Sequence, residues 1–255
     1  MIVIIPAAGE GKRLADIQPG VPKALKKVAG KPMLYYTIDT ILRSFEPIEA
    51  VIVVLSPSAV DSFDILFLSS FVKLGNLSIV CQPEPYGTGD AVWRALESLG
   101  HAYDGSVLIM YPDVLTNLSI DEFISAGNAV MTKPRGETDS CVYRCPSEPD
   151  RVVSVSEKPR RQMGNVKEKL GDWCFVVNAM YLYIACKCLA GLTWEGYEGV
   201  VKPEKIRQEF SLTQAIDALM RCGLYFRGVY VEHYHGMGNP EAFRKTEEYL
   251  KSVPK

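Results

Sequence analysis

Residues 2–14 read Ile-Val-Ile-Ile-Pro-Ala-Ala-Gly-Glu-Gly-Lys-Arg-Leu, and this stretch decides the fold class. Its first four residues are β-branched and uncharged, which predicts a strand buried on both faces, as in a parallel sheet covered by helices. Gly9 and Gly11 follow at once, and glycine lets backbone N–H groups approach phosphate oxygens without a Cβ in the way. Since ligands of open α/β sheets bind beyond the carboxyl ends of the strands, the stretch predicts a phosphate-binding loop.

Three cations accompany this loop: Lys12, Arg13 and Lys23. Their charges suit a triphosphate and the negative charge that builds up as pyrophosphate leaves. A dinucleotide-binding loop needs G-x-G-x-x-G at the start of a helix, whereas here the third glycine is absent and Pro19 and Pro22 follow soon after. A P-loop would need G-K-[ST], which is also absent. A glycine turn with merely solvated cations stays open as the alternative. The nucleotide-binding positions predicted in the loop are Ala7, Ala8, Gly9, Gly11 and Lys12.

Apolar runs and segments of helical periodicity alternate through the N-terminal half. The predicted strands there are Ile2–Ile5, Ala50–Leu55, Leu77–Cys81 and Val107–Tyr111. The predicted helices between them are Pro32–Phe45, Ala59–Lys73 and Thr88–Leu99. This β-α-β-α order is typical of a doubly wound parallel sheet.

Beyond Pro112 the predicted strands crowd together with fewer helices between them. They are Val130–Thr132, Ser140–Arg144, Val152–Glu157, Cys174–Tyr183 and Tyr225–Glu232. Two helices are predicted late in the chain, Ser211–Cys222 and Pro240–Lys251, the second with Asn239 as its N-cap. The expected fold is a single α/β domain over 1–255. Its sheet is Rossmann-like and doubly wound, mixed but mostly parallel, with helices on both faces.

Composition narrows the class of protein. The 255 residues carry 28 Lys plus Arg against 30 Asp plus Glu, a formal charge of −2, which offers no surface for nucleic acid. The apolar run Met1–Ala8 is far shorter than a membrane span and lacks the basic leader of a signal peptide, so we expect no membrane partner and a cytoplasmic location. The seven cysteines are odd in number and mostly lie in apolar runs, which favours buried thiols.

Five further segments, taken with the glycine loop, resemble one family. They are Gly87-Thr88-Gly89-Asp90-Ala91-Val92, Pro112-Asp113, Glu157-Lys158-Pro159, Val177-Asn178-Ala179-Met180-Tyr181 and Leu212-Thr213-Gln214-Ala215-Ile216. In this order they are similar to the motifs of the sugar-1-phosphate nucleotidylyltransferases, and the resemblance covers nearly the whole chain. It implies a GT-A-like nucleotidyltransferase fold, with a nucleotide-binding half over 1–115 and a sugar-phosphate-binding half over 116–255.

The resemblance also implies roles for individual residues. Gln82, Gly87 and Thr88 would contact the nucleobase, Asp113 would bind Mg²⁺, and Glu157, Lys158 and Asn178 would bind the sugar phosphate. Arg13, Lys23, Asp113 and Lys158 would form the catalytic set. The implied partners are a nucleoside triphosphate and a sugar 1-phosphate, and a homo-oligomer stays open.

The residues themselves agree with these roles without requiring them. Asp113 follows an apolar strand, where a carboxylate is an apt ligand for Mg²⁺, although a turn aspartate is the common alternative. Glu157 and Lys158 could equally be a solvated ion pair at a strand end. Thr88 is expected to cap its own helix. His233 and His235 lack a carboxylate or thiol at ligand spacing. We therefore expect them to be ordinary surface or core groups rather than metal ligands.

One departure from the family concerns a second metal-binding aspartate in its W-x-D-[IV]-G-T-P-E motif. Here the stretch is Tyr234-His235-Gly236-Met237-Gly238-Asn239-Pro240-Glu241, so Gly236 brings no ligand. Three functions therefore stay in view. They are a Mg²⁺-dependent sugar-1-phosphate nucleotidylyltransferase, a cytidylyltransferase acting on a phosphate such as phosphocholine, and a catalytically silent subunit that binds a nucleotide sugar. The sequence leaves the base and the sugar open.

Overall fold

The computed structural model describes residues 1–63, 76–100, 103–133, 140–157, 168–169, 174–194 and 210–253. The strands, in chain order, are β1 (Ile2–Pro6), β2 (Lys27–Val28), β3 (Lys31–Pro32), β4 (Ala50–Leu55), β5 (Leu77–Cys81), β6 (Ser106–Met110), β7 (Val114–Thr116), β8 (Ala129–Thr132), β9 (Ser140–Arg144), β10 (Arg151–Glu157), β11 (Glu168–Lys169), β12 (Cys174–Asn178), β13 (Phe226–Tyr230) and β14 (Tyr234–Gly236). The α-helices are α1 (Met33–Leu42), α2 (Pro57–Asp61), α3 (Thr88–Ser98), α4 (Ile120–Ser125), α5 (Ala179–Trp194), α6 (Leu212–Arg221) and α7 (Pro240–Ser252).

Ten strands form one sheet, in the order β11-β9-β10-β13-β8-β12-β6-β1-β4-β5. Strands β6, β1, β4 and β5 are parallel neighbours, and β12 pairs antiparallel with both β6 and β8. Followed from pair to pair, β8, β13 and β9 run in the direction of β1, whereas β10, β11 and β12 run the opposite way. Seven of the ten strands therefore share one direction, and the predicted doubly wound, mostly parallel mixed sheet is confirmed.

Both faces of the sheet carry helices, and β1 shows why its sequence is apolar throughout. Ile2 and Ile4 belong to a core layer that includes the buried faces of α3, α5 and α6. Val3 and Ile5 point the other way and pack with α1, α2 and α4. Because successive strand residues face opposite sides, a strand covered on both sides has no position for a charged side chain.

A third, smaller apolar cluster ties the glycine loop to the end of the chain. Leu14 from the loop packs with Met33 at the start of α1 and with Met237 and Phe243, which flank the N-terminus of α7. Asn239 accepts a hydrogen bond from the backbone N–H of Ala242, which confirms the predicted N-cap of this helix. The last helix thereby holds the segment after β14 against the loop that follows β1.

The predicted strand Cys174–Tyr183 is wrong in its second half. Strand β12 ends at Asn178, and α5 begins at the next residue. The side-chain Oδ1 of Asn178 accepts hydrogen bonds from the backbone N–H groups of Met180 (3.0 Å) and Tyr181 (3.2 Å). Asn178 therefore acts as a helix cap, a signal that the continuous apolar run concealed because such a run suits a buried strand and a buried helix equally.

Two other elements differ from the sequence-based expectation. Helix α4 was not predicted, and Ser119 caps it by accepting from the backbone N–H of Glu122. The helix predicted over Ala59–Lys73 begins earlier, at Pro57, and α2 ends at Asp61; residues 64–75 lie outside the described residues. Within the described ranges, no helix combines the length and apolar character needed to cross a bilayer.

Candidate active site

The carboxyl ends of β1, β4, β5 and β6 meet at one edge of the sheet, and predicted nucleotide-binding and metal-binding residues follow three of them. The glycine loop comes after β1, Gln82 after β5, and Asp113 shortly after β6. Residues distant in sequence are brought together here because parallel strands end side by side.

Part of the loop after β1 is available to a ligand and part is not. The backbone N–H of Ala7 donates to the carbonyl of Val54 (2.8 Å), so Ala7 extends the pairing with β4 and cannot serve as a phosphate donor through that group. The N–H groups of Ala8, Gly9 and Gly11 donate to no acceptor among the described residues. Phosphate donation by the Ala7 N–H is thereby excluded, any other nucleotide contact of Ala7 stays a prediction, and Ala8, Gly9 and Gly11 remain as candidate phosphate donors.

Gly11 is a glycine for two reasons. Its φ is +67°, in the left-handed region, and a Cβ there would lie 2.7 Å from the Cβ of Lys23. The close approach lets the Lys23 stem lie directly against the loop. A side chain at position 11 would push Lys23 away from the sheet edge.

A buried lysine that sequence reasoning missed stabilises the segment that follows the glycine loop. Lys26 is 3% exposed, and its Nζ donates to the carbonyls of Ile17 (2.5 Å) and Gln18 (2.8 Å). Burial lowers the pKa of Lys26 below its ordinary value, because the charged form loses hydration. The adjacent Lys27 is exposed. Because the two neighbours are both lysines, the residue type alone could not indicate which one is buried.

Lys23 and Asp113 form the central contact of the site. Lys23 Nζ donates to Asp113 Oδ2 at 2.5 Å, and the two side chains are only 20% and 10% exposed. Arg13 lies near this pair, and Gly238 is close to both groups. A Cβ added to Gly238 would lie 3.2 Å from Asp113 Oδ2 and 3.8 Å from an Arg13 guanidinium nitrogen. Arg13 is exposed and pairs with no acceptor among the described residues, whereas Lys12 pairs with Glu10 in solvent. Lys23, Asp113 and Arg13 therefore form a compact charged group, which we call the triad.

Asp113 fits a magnesium site in which the protein supplies one carboxylate and water and phosphate oxygens would supply the other ligands. Among the described residues, Lys23 donates to Oδ2 of Asp113 and no donor bonds to Oδ1, so Oδ1 can bind a cation. No group of three or more potential metal ligands occurs among the described residues. A single carboxylate with water and phosphate oxygens is a coordination that Mg²⁺ accepts.

The segment that departs from the family lies directly beside the triad. Gly236 pairs with Val114 across β14 and β7, and the backbone N–H of Met237 donates to the carbonyl of Asp113 (2.8 Å). An added Cβ at Gly236 would have Tyr234 as its nearest neighbour, at 3.4–3.8 Å, and φ there is outside the left-handed region. Position 236 therefore has space for a side chain. The preceding residue, His235, stacks its ring on that of Tyr249 with the ring centroids 4.0 Å apart, and burial lowers the pKa of His235.

The Gly87-Thr88-Gly89 turn is shaped by protein packing. Gly87 has φ +102°, and Cβ atoms on Gly87 and Gly89 would lie 2.4 Å from the carbonyl oxygen and 2.7 Å from the ring of Phe210. Thr88 does not cap its own helix as expected, since its hydroxyl accepts from the backbone N–H of Leu212 (3.1 Å) and so caps α6. The glycines are required because Phe210 occupies the space that their side chains would fill.

Gln82 is held tightly behind that turn. It is 4% exposed, and its Nε2 donates to the carbonyl of Gly87 (3.0 Å) and to Asp90 Oδ2 (2.7 Å). Asp90 is equally buried and also accepts from Arg94 Nε at 2.8 Å. Sequence reasoning assigned no role to Asp90, because its partner Gln82 lies on a different element.

The two acceptor-side residues that the structure describes, Asn178 and Glu157, do not lie at this edge. Asn178 pairs with Ser106, the first residue of β6, whereas Cys174 at the other end of β12 pairs with Met110, the last. Asn178 therefore lies about 13 Å along the strand from the carboxyl edge, at ~3.3 Å per residue, and its assignment to the sugar site is wrong in this geometry. Strand β10 runs antiparallel to β13, so Glu157 at its carboxyl end is not among the strand ends that meet at Asp113. Lys158 lies outside the described residues, and its role stays a prediction.

Comparison with known proteins places the chain among nucleotide-transferring enzymes. A sequence model described as nucleotidyl transferase matches residues 2–186. The bifunctional protein GlmU of Methanococcus vannielii is 26% identical over 257 residues, covering 99% of this chain and 56% of that protein. GlmU of Dechloromonas aromatica is 32% identical over 134 residues, covering 52% of this chain and 27% of that protein. The chain thus spans about half the length, or less, of these curated relatives.

Solved structures share the fold at low sequence identity. A putative glucose-1-phosphate thymidylyltransferase from Bacillus anthracis superposes with a TM-score of 0.75 at 15% identity, covering 100% of this chain and 97% of that one. A UTP-bound UGPase from Acinetobacter baumannii superposes with a TM-score of 0.69 at 19% identity, covering 100% and 94%. At these identities the likenesses show a shared fold, which extends over nearly the whole of both neighbours.

Proposed function

The chain belongs to the nucleotidyl transferase family, and we propose that it transfers a nucleotidyl group from a nucleoside triphosphate to a sugar 1-phosphate, releasing pyrophosphate. The observation that carries this proposal is the triad of Lys23, Asp113 and Arg13. The triad lies at the sheet edge that also holds the glycine-loop N–H groups for which the described residues offer no acceptor. Cations and loop amides beside a carboxylate suit a polyphosphate substrate.

In the proposed reaction an oxygen of the acceptor phosphate attacks the α-phosphorus, and the bond from that phosphorus to the bridging oxygen breaks. The electron pair of the broken bond leaves with pyrophosphate. Because the acceptor attacks the α-phosphorus directly, no covalent protein intermediate forms. A phosphate nucleophile is already ionised at neutral pH, and catalysis then depends on positioning and charge neutralisation.

The position of each residue at the sheet edge suggests its role in binding the phosphates or the metal. The N–H groups of Ala8, Gly9 and Gly11 and the cations Arg13 and Lys23 would hold the β and γ phosphates and stabilise departing pyrophosphate. Asp113 would hold Mg²⁺, which when bound neutralises phosphate charge. In the free protein, Lys23 supplies the positive charge that the buried Asp113 carboxylate needs.

The acceptor class is supported by the relatives. One structural neighbour is described as a putative glucose-1-phosphate thymidylyltransferase and another as a UTP-bound UGPase. The Glu157-Lys158-Pro159 segment, similar to the family's sugar-phosphate motif, points the same way. We therefore favour a sugar 1-phosphate over a non-sugar phosphate such as phosphocholine.

The test is a substrate panel with a charge-deleted control. ATP, GTP, CTP, UTP and dTTP are each combined with several sugar 1-phosphates and with phosphocholine at a saturating Mg²⁺ concentration, and pyrophosphate release is measured. We expect release with at least one sugar 1-phosphate, and its loss in Asp113→Asn, which keeps the side-chain shape but removes the charge.

Two outcomes would contradict the proposal. Release with phosphocholine alone would identify the cytidylyltransferase alternative. No release from the wild type with any pair, together with measurable nucleotide binding, would identify a catalytically silent binding protein.

A further inference from the structure

Strand β5 forms one edge of the ten-stranded sheet, and one side of its backbone faces no other described strand. It pairs with β4 in an unbroken parallel register over all five of its residues. The N–H of Val51 donates to the carbonyl of Asn76 (2.9 Å), and the N–H of Gln82 donates to the carbonyl of Leu55 (2.8 Å). Because successive strand residues alternate in direction, the even-numbered residues from 76 to 82 direct their backbone groups toward β4. The odd-numbered residues between them direct theirs outward.

Three residues therefore direct their backbone groups outward at this edge: Leu77, Ile79 and Cys81. No donor or acceptor among the described residues bonds to their N–H or C=O groups. The edge is also open to solvent, since Ile79 is 39% exposed and Ser78 and Cys81 are exposed as well. The next outward position is Pro83, which has no N–H, so the run of outward donors ends at Cys81.

The edge carries none of the features that usually prevent strand pairing. Native sheets protect an exposed edge with charged side chains, with proline or with a bulge that twists the strand away. Strand β5 reads Leu-Ser-Ile-Val-Cys, which contains no charge and no proline, and its register against β4 shows no shift. An edge of this kind is a template for one more strand.

We propose that this edge pairs with β5 of a second copy of the chain, antiparallel, about a two-fold axis at Ile79. In that register Ile79 faces Ile79 of the second copy, and Leu77 faces Cys81 of the second copy. Each facing pair exchanges two main-chain hydrogen bonds, so about six form in all. Since the facing side chains are all uncharged, the strand is complementary to itself, as a two-fold interface requires.

The pairing leaves both candidate active sites accessible. Antiparallel pairing reverses the direction of the second β5, so the carboxyl edges of the two sheets, with their triads, lie on opposite sides of the joined sheet. Dimerisation is therefore independent of nucleotide binding and of turnover, and the inference does not rest on the proposed function.

A register-specific cross-link tests the pairing directly. Leu77→Cys places a thiol opposite Cys81 of the second copy, with Cα atoms about 5.5 Å apart, a separation that a disulfide spans. Within one chain the two positions lie roughly 13 Å apart along the strand and cannot be bridged. Under mild oxidation we expect at least ~10-fold more disulfide-linked dimer than in the wild type on non-reducing gels, because pairing holds the two thiols together. The wild type reports cross-links through its other cysteines, and Leu77→Cys combined with Cys81→Ser should return to that level.

Analytical ultracentrifugation in reducing buffer measures the association without a new cysteine. We expect the wild type to approach twice the monomer mass as its concentration rises to ~100 μM, since a short-strand interface is at the small end of specific contacts. Ile79→Lys places like charges opposite each other at the axis and should raise the dimer dissociation constant by at least ~10-fold. Ile184→Lys is the matched control, because Ile184 is 50% exposed on α5, away from β5, and this variant should dimerise like the wild type.

Three results would overturn the proposal. The first is a wild type that stays monomeric over the whole concentration range, which would leave the edge to a strand of a different protein. The second is a dimer that is lost in Ile184→Lys and kept in Ile79→Lys, which would assign the interface to α5. The third is a Leu77→Cys protein that cross-links no more than the wild type, and this result decides the matter even where Ile79→Lys does not fold.

Discussion

Replacing Lys23 by methionine should lower both stability and turnover, and the two losses have separate causes. Methionine keeps an unbranched stem against Gly11 and removes only the charge. The Asp113 carboxylate, 90% buried as a side chain and 2.5 Å from Lys23 Nζ, is then left without its cation.

The size of the stability loss follows from that burial. At an effective dielectric constant of about 20, the charges 2.5 Å apart attract by roughly 7 kcal/mol before the cost of desolvating them. Removing one partner of a fully buried pair costs about 3–5 kcal/mol net. Because Lys23 is still 20% exposed, we expect about 2–3 kcal/mol, which corresponds to a fall in Tm of about 5–10 °C for a chain of this size.

Calorimetric unfolding with and without Mg²⁺ measures this effect. A cation bound at Asp113 replaces the missing lysine charge, so Mg²⁺ should raise the Tm of Lys23→Met more than that of the wild type. Turnover should fall by ~10²-fold, or about 2.7 kcal/mol of transition-state stabilisation, since the triphosphate loses a cation. Lys12→Met is the control: Lys12 is 84% exposed and pairs in solvent, so its loss should leave Tm unchanged.

Either of two results would refute this reasoning. An unchanged Tm in Lys23→Met would mean that Asp113 does not depend on the lysine. A lowered Tm with wild-type turnover would assign Lys23 a purely structural role.

Two further substitutions probe glycines at the site. Gly236→Asp should lower the half-saturating Mg²⁺ concentration by ~10-fold in the pyrophosphate assay, because a second carboxylate strengthens binding of a hard cation and the position has space and an ordinary φ. Gly236→Ala is its control, and an unchanged Mg²⁺ requirement in the aspartate variant would show that position 236 does not reach the metal. Gly87→Ala should lower the free energy of unfolding by at least ~2 kcal/mol in denaturant titrations, since φ is +102° and a Cβ would lie 2.4 Å from the Phe210 carbonyl oxygen. Gly9→Ala, where a Cβ meets nothing within 4 Å, should be near neutral, and equal effects of the two would contradict the packing role of Gly87.

Local chemistry in the sequence was enough for the parts of the molecule that depend on near neighbours. The apolar run of β1 and the glycine loop after it could be predicted because burial on both faces and a tight turn each demand a residue type. The Ser211 capping box of α6 and the Asn239 cap of α7 are likewise complete within four residues. The family motifs grouped Arg13, Lys23 and Asp113 in one catalytic set, but the direct ion pair between Lys23 and Asp113 was not predicted and is a finding of the structure.

The errors occur where a residue's role depends on a distant segment. Thr88 has the form of a cap for its own helix, but the N–H it accepts from belongs to Leu212. Asn178 looked like part of a sugar site, yet its register against Ser106 places it at the opposite edge of the sheet. A strand's direction and its partner are set by the whole sheet, and no local pattern records them.

Local patterns in the sequence were therefore enough to predict a doubly wound α/β protein with a glycine loop after its first strand, because periodicity and turn chemistry act over a few residues. Three features follow from the packed chain alone: the burial of Lys26, the loop N–H groups that find no acceptor among the described residues, and the contact of Asp90 with Gln82. Those outcomes depend on burial and on hydrogen-bond partners from separate elements. Desolvation makes such partners obligatory, but their identity exists only once the chain has packed.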